Sequence, residues 1–251
     1  MIPWREKWRA FAIHFAVTLI LAAGVAAIIF GIWFPAPFDK LVGGQELFVL
    51  VVGCDLVLGP LLSLVVYDSR KGRGKLIFDY CVVGVVQLAA LSYGVWIVAG
   101  SRPVYVTFTG DRLDVVSAAD IRPAELAAAR DPAYRHLPVT GPRHVAVVVP
   151  KADHDDALFQ ALDGNEEPMR PKFYVPYESR LPAILKKAKP LGELLERHKD
   201  AGTKLAAARA ETNLPDEKLR YLPVRYHDAF WTALIDAESG LPVAYFDFDP
   251  Y

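Results

Sequence analysis

The chain has 251 residues, of which 53% are hydrophobic, with a mean hydropathy of +0.22 and a formal net charge of −1 at pH 7. This composition excludes a disordered, collagen-like or disulfide-rich protein and is more apolar than that of an ordinary soluble protein. Residues 1–99 contain eight Lys or Arg and six Asp or Glu, whereas residues 100–251 contain twenty and twenty-three. The first part is therefore typical of a membrane protein and the second of a soluble domain.

Three apolar segments lie in the first part. Residues 16–34 and 80–100 contain no charge, and residues 47–67 contain only Asp55. About 20 apolar residues cross the hydrocarbon core of a bilayer, so we expect a three-helix transmembrane domain over 1–100 and a soluble domain over 101–251. A cleaved signal peptide is the alternative for the start, but the apolar run is longer than a signal peptide requires, which favours an uncleaved anchor.

Basic residues flank these segments unequally. One lies between the first and second segments (Lys40), three precede the first, and four lie between the second and third (Arg5, Lys7, Arg9; Arg70, Lys71, Arg73, Lys75). By the positive-inside rule, the N-terminus is expected in the cytoplasm and the 101–251 domain on the opposite side. Both cysteines, Cys54 and Cys81, fall inside or beside the segments. The exported domain therefore has no disulfide framework and no cysteine chemistry.

Asp55 is the polar residue most in need of an explanation, because an ionisable side chain at the centre of a span costs about 2.5–3.5 kcal/mol on insertion scales. A structural bond to Gln87, His14 or a backbone group would explain it; a proton relay or a contact with a partner helix are the functional alternatives. Asp79 lies near the start of the third span, where the helix dipole and Lys75 favour a carboxylate.

The second and third segments are also rich in small or helix-breaking residues (Gly53, Gly59, Pro60, Gly84, Ala90, Gly94). Small residues let helices approach closely, which predicts a compact three-helix bundle. The same smooth surface is suited to receiving a foreign transmembrane helix.

The exported part is expected to form a small α+β domain with an antiparallel sheet, because strand patterns at both ends enclose helical patterns. A hairpin with Gly110-Asp111 at its turn leads from the third span. Residues 193–209 favour a helix that packs on the sheet or, alternatively, binds a partner. The expected strands are 104–109, 112–116, 144–149, 172–176, 221–226, 229–236 and 241–248, and the expected helices are 124–130, 153–162, 182–189 and 191–212.

Signals for catalysis, metals, cofactors and nucleic acid are weak. The acidic run Asp153 to Asp156 opens a helix, where carboxylates are favoured without an ion, and His227-Asp228 is typical of a surface turn. The exported part is net acidic and has no basic stripe, which argues against nucleic acid. We therefore predict a non-enzymatic protein with no metal and no cofactor.

Four sequence blocks together resemble the TfpX/TfpZ family of type IV pilin accessory proteins. They are Trp33-Phe-Pro-Ala-Pro-Phe, Asp55-Leu-Val-Leu-Gly-Pro-Leu-Leu, Phe78-Asp with Gln87-Leu-Ala-Ala-Leu-Ser-Tyr-Gly, and Arg102-Pro-Val-Tyr-Val; a C-terminal block around Trp231-Thr-Ala-Leu-Ile-Asp also fits. The resemblance implies an inner-membrane protein of a Gram-negative bacterium with a periplasmic C-terminal domain. It points to seven positions as partner-binding or membrane polar residues: Asp55, Gly59, Pro60, Asp79, Gln87, Arg102 and Pro103.

The function implied is that of a chaperone-like helper in pilus assembly. Its partners would be membrane lipid, a type IV pilin and the pilus assembly machinery, with the spans holding the apolar pilin helix and the exported domain contacting the pilin head. The alternative is a small transporter or proton-coupled device that uses Asp55 and Asp79. Three spans without an inverted repeat give such a device little room. A periplasmic enzyme would need converging titratable groups, and the sequence shows no such set.

Overall fold

The computed structural model describes residues 4–68, 71–197 and 201–251. The chain forms two compact units, Met1–Ser101 and Arg102–Tyr251. Arg70, one of the basic residues that predicted the orientation, lies outside the described residues. So does His198, which falls within the predicted partner-binding helix.

The first unit consists of three long helices. Helix α1 (Trp4–Ile28) continues as a π-helical turn to Trp33, a short α2 (Phe38–Leu41) follows, and α3 (Gly44–Val66) and α4 (Arg73–Ser101) complete the unit. All three long helices are sufficiently long and apolar to cross a membrane, which confirms the predicted spans. Each begins before its predicted apolar segment, because charged and polar residues of the opening turns continue the helix without adding hydrophobicity.

Helix α3 packs against both α1 and α4. One close approach is at Gly94 of α4, where an added Cβ would overlap the side chain of Val51. The predicted row of small residues on α4 is therefore only partly used for packing. Ala90 is exposed, and an added Cβ at Gly84 would meet no atom within 4 Å.

Buried apolar side chains, most of them aromatic, pack in the connection between α1 and α3. Phe34 is fully buried, and Phe38 and Leu41 of α2 are also buried. A Cβ at Gly44 would lie 2.6 Å from the Phe34 ring, so the ring requires a glycine at the start of α3. The conspicuous aromatic and proline residues of 33–38 thus shape this short connection.

Lysine side chains bind the C-terminal end of α3. Lys7 Nζ donates to the carbonyl of Leu64 at 2.8 Å, and Lys71 Nζ donates to the carbonyl of Val66 at 3.1 Å. Lys71 also forms an ion pair of 2.6 Å with Asp79. The last carbonyls of a helix lack intrahelical partners, so these lysines satisfy them and match the dipole. Asp79 therefore pairs with Lys71, and not with the expected Lys75.

The second unit is built on one sheet of eight strands: β1 (Pro103–Thr109), β2 (Arg112–Ser117), β3 (Arg143–Val147), β4 (Tyr174–Pro176), β5 (Lys189–Pro190), β6 (Leu219–Tyr226), β7 (Ala229–Asp236) and β8 (Pro242–Phe246). Their order in the sheet is β4-β3-β1-β2-β6-β7-β8, with β5 also paired to β6. Five pairs are antiparallel, whereas β1–β3 and β2–β6 are parallel. This confirms a sheet-containing domain with mostly antiparallel strands after the three helices.

Helices cover the sheet and enclose its core. Leu194 and Leu205 are fully buried in a cluster with Tyr221 and Leu234 of the sheet. The described residues of the 193–209 region therefore pack on their own domain, which is one of the two roles expected for this region. The helices of this unit are α5 (Pro123–Ala127), α6 (His154–Leu162), α7 (Leu181–Lys187), α8 (Leu191–Arg197) and α9 (Ala201–Thr212).

Pro223 lies in β6, an interior strand, although proline normally marks an edge strand. On the side away from β7, β6 is shared by two partners. Strand β5 pairs at Arg220 and Tyr221, and β2 pairs at Val224 and Arg225. Pro223 lies between these two pairings, so its missing N–H removes no ladder hydrogen bond.

Candidate functional site

A layer of polar side chains connects the three long helices of the first unit. His14 of α1 lies 2.5 Å from Ser63 Oγ of α3 through Nδ1 and 2.9 Å from Gln87 Oε1 of α4 through Nε2. Since an amide oxygen only accepts, Nε2 carries a hydrogen and donates to Gln87. In the neutral ring, Nδ1 then accepts from the Ser63 hydroxyl. We call His14, Ser63 and Gln87 the polar layer.

Gly59 makes the position of Gln87 possible. An added Cβ at Gly59 would overlap the side-chain amide of Gln87. Gly59 and the adjacent Pro60 are both buried, as is Ser63 one turn later. The α3 backbone therefore presents a flat surface on which the Gln87 amide lies while it accepts from His14.

Beside the polar layer, a groove runs between α1 and α4. It consists of two adjoining cavities of about 220 and 430 Å³ that share His14, Val17 and Gly84. We call it the α1–α4 groove. Its lining is mostly apolar: Ala10, Ile13, His14, Val17, Thr18, Leu21 and Ala22 of α1, Val52 and Asp55 of α3, Tyr67, and Tyr80, Gly84, Gln87, Leu88 and Leu91 of α4.

Asp55 is the acidic residue of this groove. It lies one turn before Gly59 on α3 and lines the smaller cavity together with His14 and Gln87. Within residues 4–68, 71–197 and 201–251, its carboxylate has no hydrogen bond or ion pair. The bond to His14 or Gln87 that would have given Asp55 a purely structural role is not formed, because those two residues bind each other. The carboxylate is left facing the groove.

The remaining predicted site residues lie elsewhere. Asp79 is two turns before Gln87 on α4 and is engaged by Lys71. Arg102 and Pro103 begin the second unit, where the Arg102 carbonyl accepts from the Ala118 amide at 3.0 Å and Pro103 pairs with Ser117. Of the seven predicted positions, the structure thus brings together Asp55, Gly59 with the adjacent Pro60, and Gln87.

The polar layer includes residues that the sequence did not single out as a site. Ser63 is a small hydroxyl residue in an apolar helix, which is an ordinary occurrence. His14 precedes the predicted first span and had no predicted bond to α4. The available signal was that His14 and Gln87 are polar residues on two helices that both carry a membrane-spanning pattern.

In the second unit, carboxylates of the acidic run from Asp153 to Asp156 pair with arginine and lysine side chains. Asp153 accepts from Arg130 at 2.7 Å, and Asp156 accepts from Arg170 at 2.7 Å and from Lys172 at 2.9 Å. The hydrogen bonds from Lys172 and Arg170 lower the pKa of Asp156. No group of three or more His, Cys, Asp or Glu suited to a metal occurs among the residues that the structure describes.

A second polar group surrounds Asp114, which is 3% exposed on β2. Its Oδ1 accepts from Arg225 Nε at 2.6 Å and from Arg112 Nε at 3.0 Å, and Arg225 also binds Glu166. These bonds hold β2 and β6 together.

His227 binds Asp120 at 3.2 Å at the β6–β7 turn, whereas the sequence had grouped it with Asp228.

Comparison with known proteins identifies the family to which the chain belongs. A "Fimbrial assembly protein, serogroup I" of Dichelobacter nodosus is 33% identical over 238 residues, which cover 92% of this chain and 91% of that protein. The chain belongs to the fimbrial assembly protein family. The family model described as "Fimbrial assembly protein FimB" matches residues 2–43 of this family member, which include α1 and α2.

Two further relatives from the same organism are also named fimbrial assembly proteins. The serogroup E1 fimbrial assembly protein is 31% identical over 92% of this chain and 91% of its own length. The protein of serogroups C1 and C2 is 37% identical over 47% of this chain and 89% of its own length. No solved structure matches this fimbrial assembly family member. The resemblance to a pilus accessory family is thereby confirmed.

Proposed function

We propose that the protein is a non-enzymatic, chaperone-like accessory factor of type IV pilus assembly that holds the apolar helix of a pilin in its α1–α4 groove. The observation that carries the proposal is the groove, which is lined by a carboxylate, that of Asp55, with no partner among the described residues. Support for the biological setting comes from relatives named as fimbrial assembly proteins.

The shape and lining of the groove suit a helix. Val17 and Leu21 of α1 and Leu88 of α4 are about half exposed along it, and Gly84 leaves its centre open. Helix association within a bilayer depends on close van der Waals packing and on interhelical hydrogen bonds, because lipid is as apolar as the helices themselves. In this groove, an incoming helix would gain van der Waals packing from the apolar walls and a hydrogen bond to Asp55.

Asp55 supplies the selectivity. A carboxylate without a partner is costly in the membrane, and a hydrogen-bond donor on the incoming helix removes that cost. Such a donor would favour a pilin helix over lipid or an ordinary apolar span. The polar layer beside it keeps α1 and α4 at a fixed separation, so the groove exists before the pilin arrives.

The orientation follows from the basic residues flanking the spans. We place the protein in the Gram-negative inner membrane, with the N-terminus in the cytoplasm and residues 101–251 in the periplasm. The second unit would then lie on the side where a pilin exposes its globular head. The pilus assembly machinery is the next partner in this scheme, since the held subunit has to be handed on.

A glycine pair tests the groove. Gly84→Leu fills the groove, whereas Gly53→Leu adds the same side chain at a site where an added Cβ meets no atom within 4 Å and which does not line the groove. Each full-length variant is expressed in a fimbriated strain whose own copy is deleted. Surface fimbriae are measured after shearing, and pilin is measured by co-purification in detergent.

We expect Gly84→Leu to lose co-purified pilin and surface fimbriae, and Gly53→Leu to retain both, at equal amounts of the accessory protein in the membrane. The proposal fails if deletion of the protein leaves fimbriae and pilin levels unchanged. It also fails if Gly84→Leu and Gly53→Leu behave alike.

A further inference from the structure

Helix α6 of the second unit carries its large apolar side chains on the outside. Leu158, Phe159 and Leu162 are 62%, 70% and 81% exposed, respectively. They occur at i, i+1 and i+4, so they form one face of the helix. We call these three residues the α6 surface. A contiguous exposed apolar group of this kind marks an interaction site more often than single exposed residues do.

The opposite face of α6 contacts the domain through one buried apolar residue and several polar bonds. Ala157 is buried, and Asp156 is held by Arg170 and Lys172. Arg170 itself is 3% exposed. Near the C-terminal end of the helix, Asn165 donates to Gln160 Oε1 at 3.2 Å. The usual arrangement of an amphipathic helix is therefore reversed, and rotation of the apolar face inward would break the bonds of a nearly buried arginine.

The charged residue that α6 itself places beside the α6 surface is acidic, and Arg122, which reaches the end of the helix, is paired with Asp163. Asp155 precedes Leu158 and Phe159 by three and four residues, so it borders them on the same face. Asp155 is exposed, and the helix contains no Lys or Arg. A helix that inserts into a membrane surface normally carries Lys or Arg beside its apolar face, so this border argues against lipid. Pairing of two copies through α6 would bring the Asp155 side chains of both copies together, which argues against self-association.

We propose that the α6 surface docks the soluble head of the fimbrial subunit through an apolar patch with a basic border on that subunit. This inference rests on the proposed function and names a second contact with the same partner. The acidic border provides the charge complementarity, and Phe159 supplies the central anchor. Aromatic side chains surrounded by less critical contacts are the usual source of binding energy at such interfaces.

The test uses the full-length protein in nanodiscs and, as the probe, the fimbrial subunit without its apolar N-terminal helix. This probe cannot enter the α1–α4 groove, because it lacks the apolar helix. Its binding to the full-length protein therefore reports on the second unit alone. Three forms are compared: wild type, the double variant L158S/F159S, and the control Val139→Ser, which removes a single exposed apolar side chain elsewhere in the unit. Thermal unfolding of each form confirms that it is folded.

We expect L158S/F159S to weaken binding by about tenfold or more, and Val139→Ser to leave it unchanged. Asp155→Lys should slow association and reverse its dependence on salt concentration, as rim charges do. Equal binding of wild type and L158S/F159S overturns the inference, as does an effect of L158S/F159S confined to vesicle binding or to the oligomeric state. If L158S/F159S binds normally while Gly84→Leu still loses the full-length subunit, the groove proposal stands and the α6 proposal falls.

Discussion

His14 of α1 and Gln87 of α4 are joined by a hydrogen bond of 2.9 Å, although 73 residues separate them in the chain. Because both groups lie within the helices, this bond fixes how far apart α1 and α4 lie at the polar layer. The groove beside the layer depends on that separation.

The bond should be measurable as an energetic coupling. A double-mutant cycle of His14→Ala and Gln87→Ala, followed by unfolding in mixed micelles, is expected to give a coupling of about 0.6 to 1.7 kcal/mol, as for other interhelical hydrogen bonds in membranes. The control cycle pairs Gln87→Ala with Cys54→Ala, an exposed residue of α3, and should give no coupling. Equal coupling in the two cycles would show that His14 and Gln87 do not act as a pair.

Gly59 should be far less tolerant of a methyl group than Gly53 on the same helix. An added Cβ at Gly59 overlaps the Gln87 amide, whereas Gly53 has open space around it. We expect Gly59→Ala to lower the free energy of unfolding by about 0.6–1.7 kcal/mol, because the Gln87 amide has to turn away from the added methyl group and gives up its bond to His14. Gly53→Ala should leave it unchanged or raise it slightly, since alanine favours a helix. Unfolding of both variants in the same detergent checks this difference, and similar values would contradict the packing of Gln87 on Gly59.

Replacement of Asp55 should separate stability from function. Asp55→Leu removes a carboxylate that has no partner among the described residues, so the free energy of unfolding should stay constant or rise by up to about 3 kcal/mol. Fimbrial assembly should nevertheless be lost, because the incoming helix loses its acceptor. Asp79→Leu, which breaks the ion pair with Lys71, should instead lower stability by less than about 1 kcal/mol. Loss of folded Asp55→Leu protein from the membrane would indicate that Asp55 is structural after all.

The sequence predicted the helices of the first unit better than their contacts. The three spans followed from the lengths of apolar runs, which is a local property. Which face of each helix meets its neighbour depends on the packing of all three. The bond of Gln87 to His14, which leaves Asp55 without a partner in the described part of the chain, could therefore not be inferred. The charged residues that set the predicted orientation have a second role that the sequence did not show, since Lys7 and Lys71 also bind the end of α3.

The same distinction holds in the second unit. The β1–β2 hairpin has its turn at Gly110-Asp111, where the sequence predicted it, because a turn depends on neighbouring residues. The parallel pairing of β2 with β6 places Asp114 beside Arg225. That contact joins the two ends of the domain and depends on the whole fold. The outward-facing apolar side of α6 was also missed, since its acidic first turn gave no indication of the arginine and lysine that hold it.

Acid should destabilise the second unit through His144 of β3. Burial lowers the pKa of His144, although Glu178 acts in the opposite direction. The folded state therefore favours the neutral ring, whose Nε2 lies 3.0 Å from the Tyr245 hydroxyl. Below the unperturbed pKa of about 6.5, the unfolded chain binds more protons than the folded one, so the free energy of unfolding falls as the pH decreases.

His144→Gln provides the comparison, because glutamine keeps a polar side chain but does not titrate. Its free energy of unfolding should depend less on pH than that of wild type between about pH 7 and pH 5. An NMR titration of the His144 ring checks the cause directly. A midpoint at or above the ordinary histidine value would refute the assignment.

Two turn glycines with nearly the same backbone angle should differ in their response to alanine. Gly110 and Gly240 have φ of +69° and +70°, so alanine is strained at both. At Gly110 the added Cβ meets no atom within 4 Å, whereas at Gly240 it lies 2.8 Å from Leu181 Cδ2 of α7, and the Gly240 carbonyl accepts from the Tyr177 hydroxyl at 3.0 Å. Gly110→Ala should therefore cost about 1 kcal/mol from the backbone alone. Gly240→Ala should cost about 0.5–1.5 kcal/mol more, because the end of the Leu181 side chain has to turn away from the added methyl group. Equal losses in denaturant unfolding would mean that backbone strain alone decides both sites and that α7 does not press on the turn.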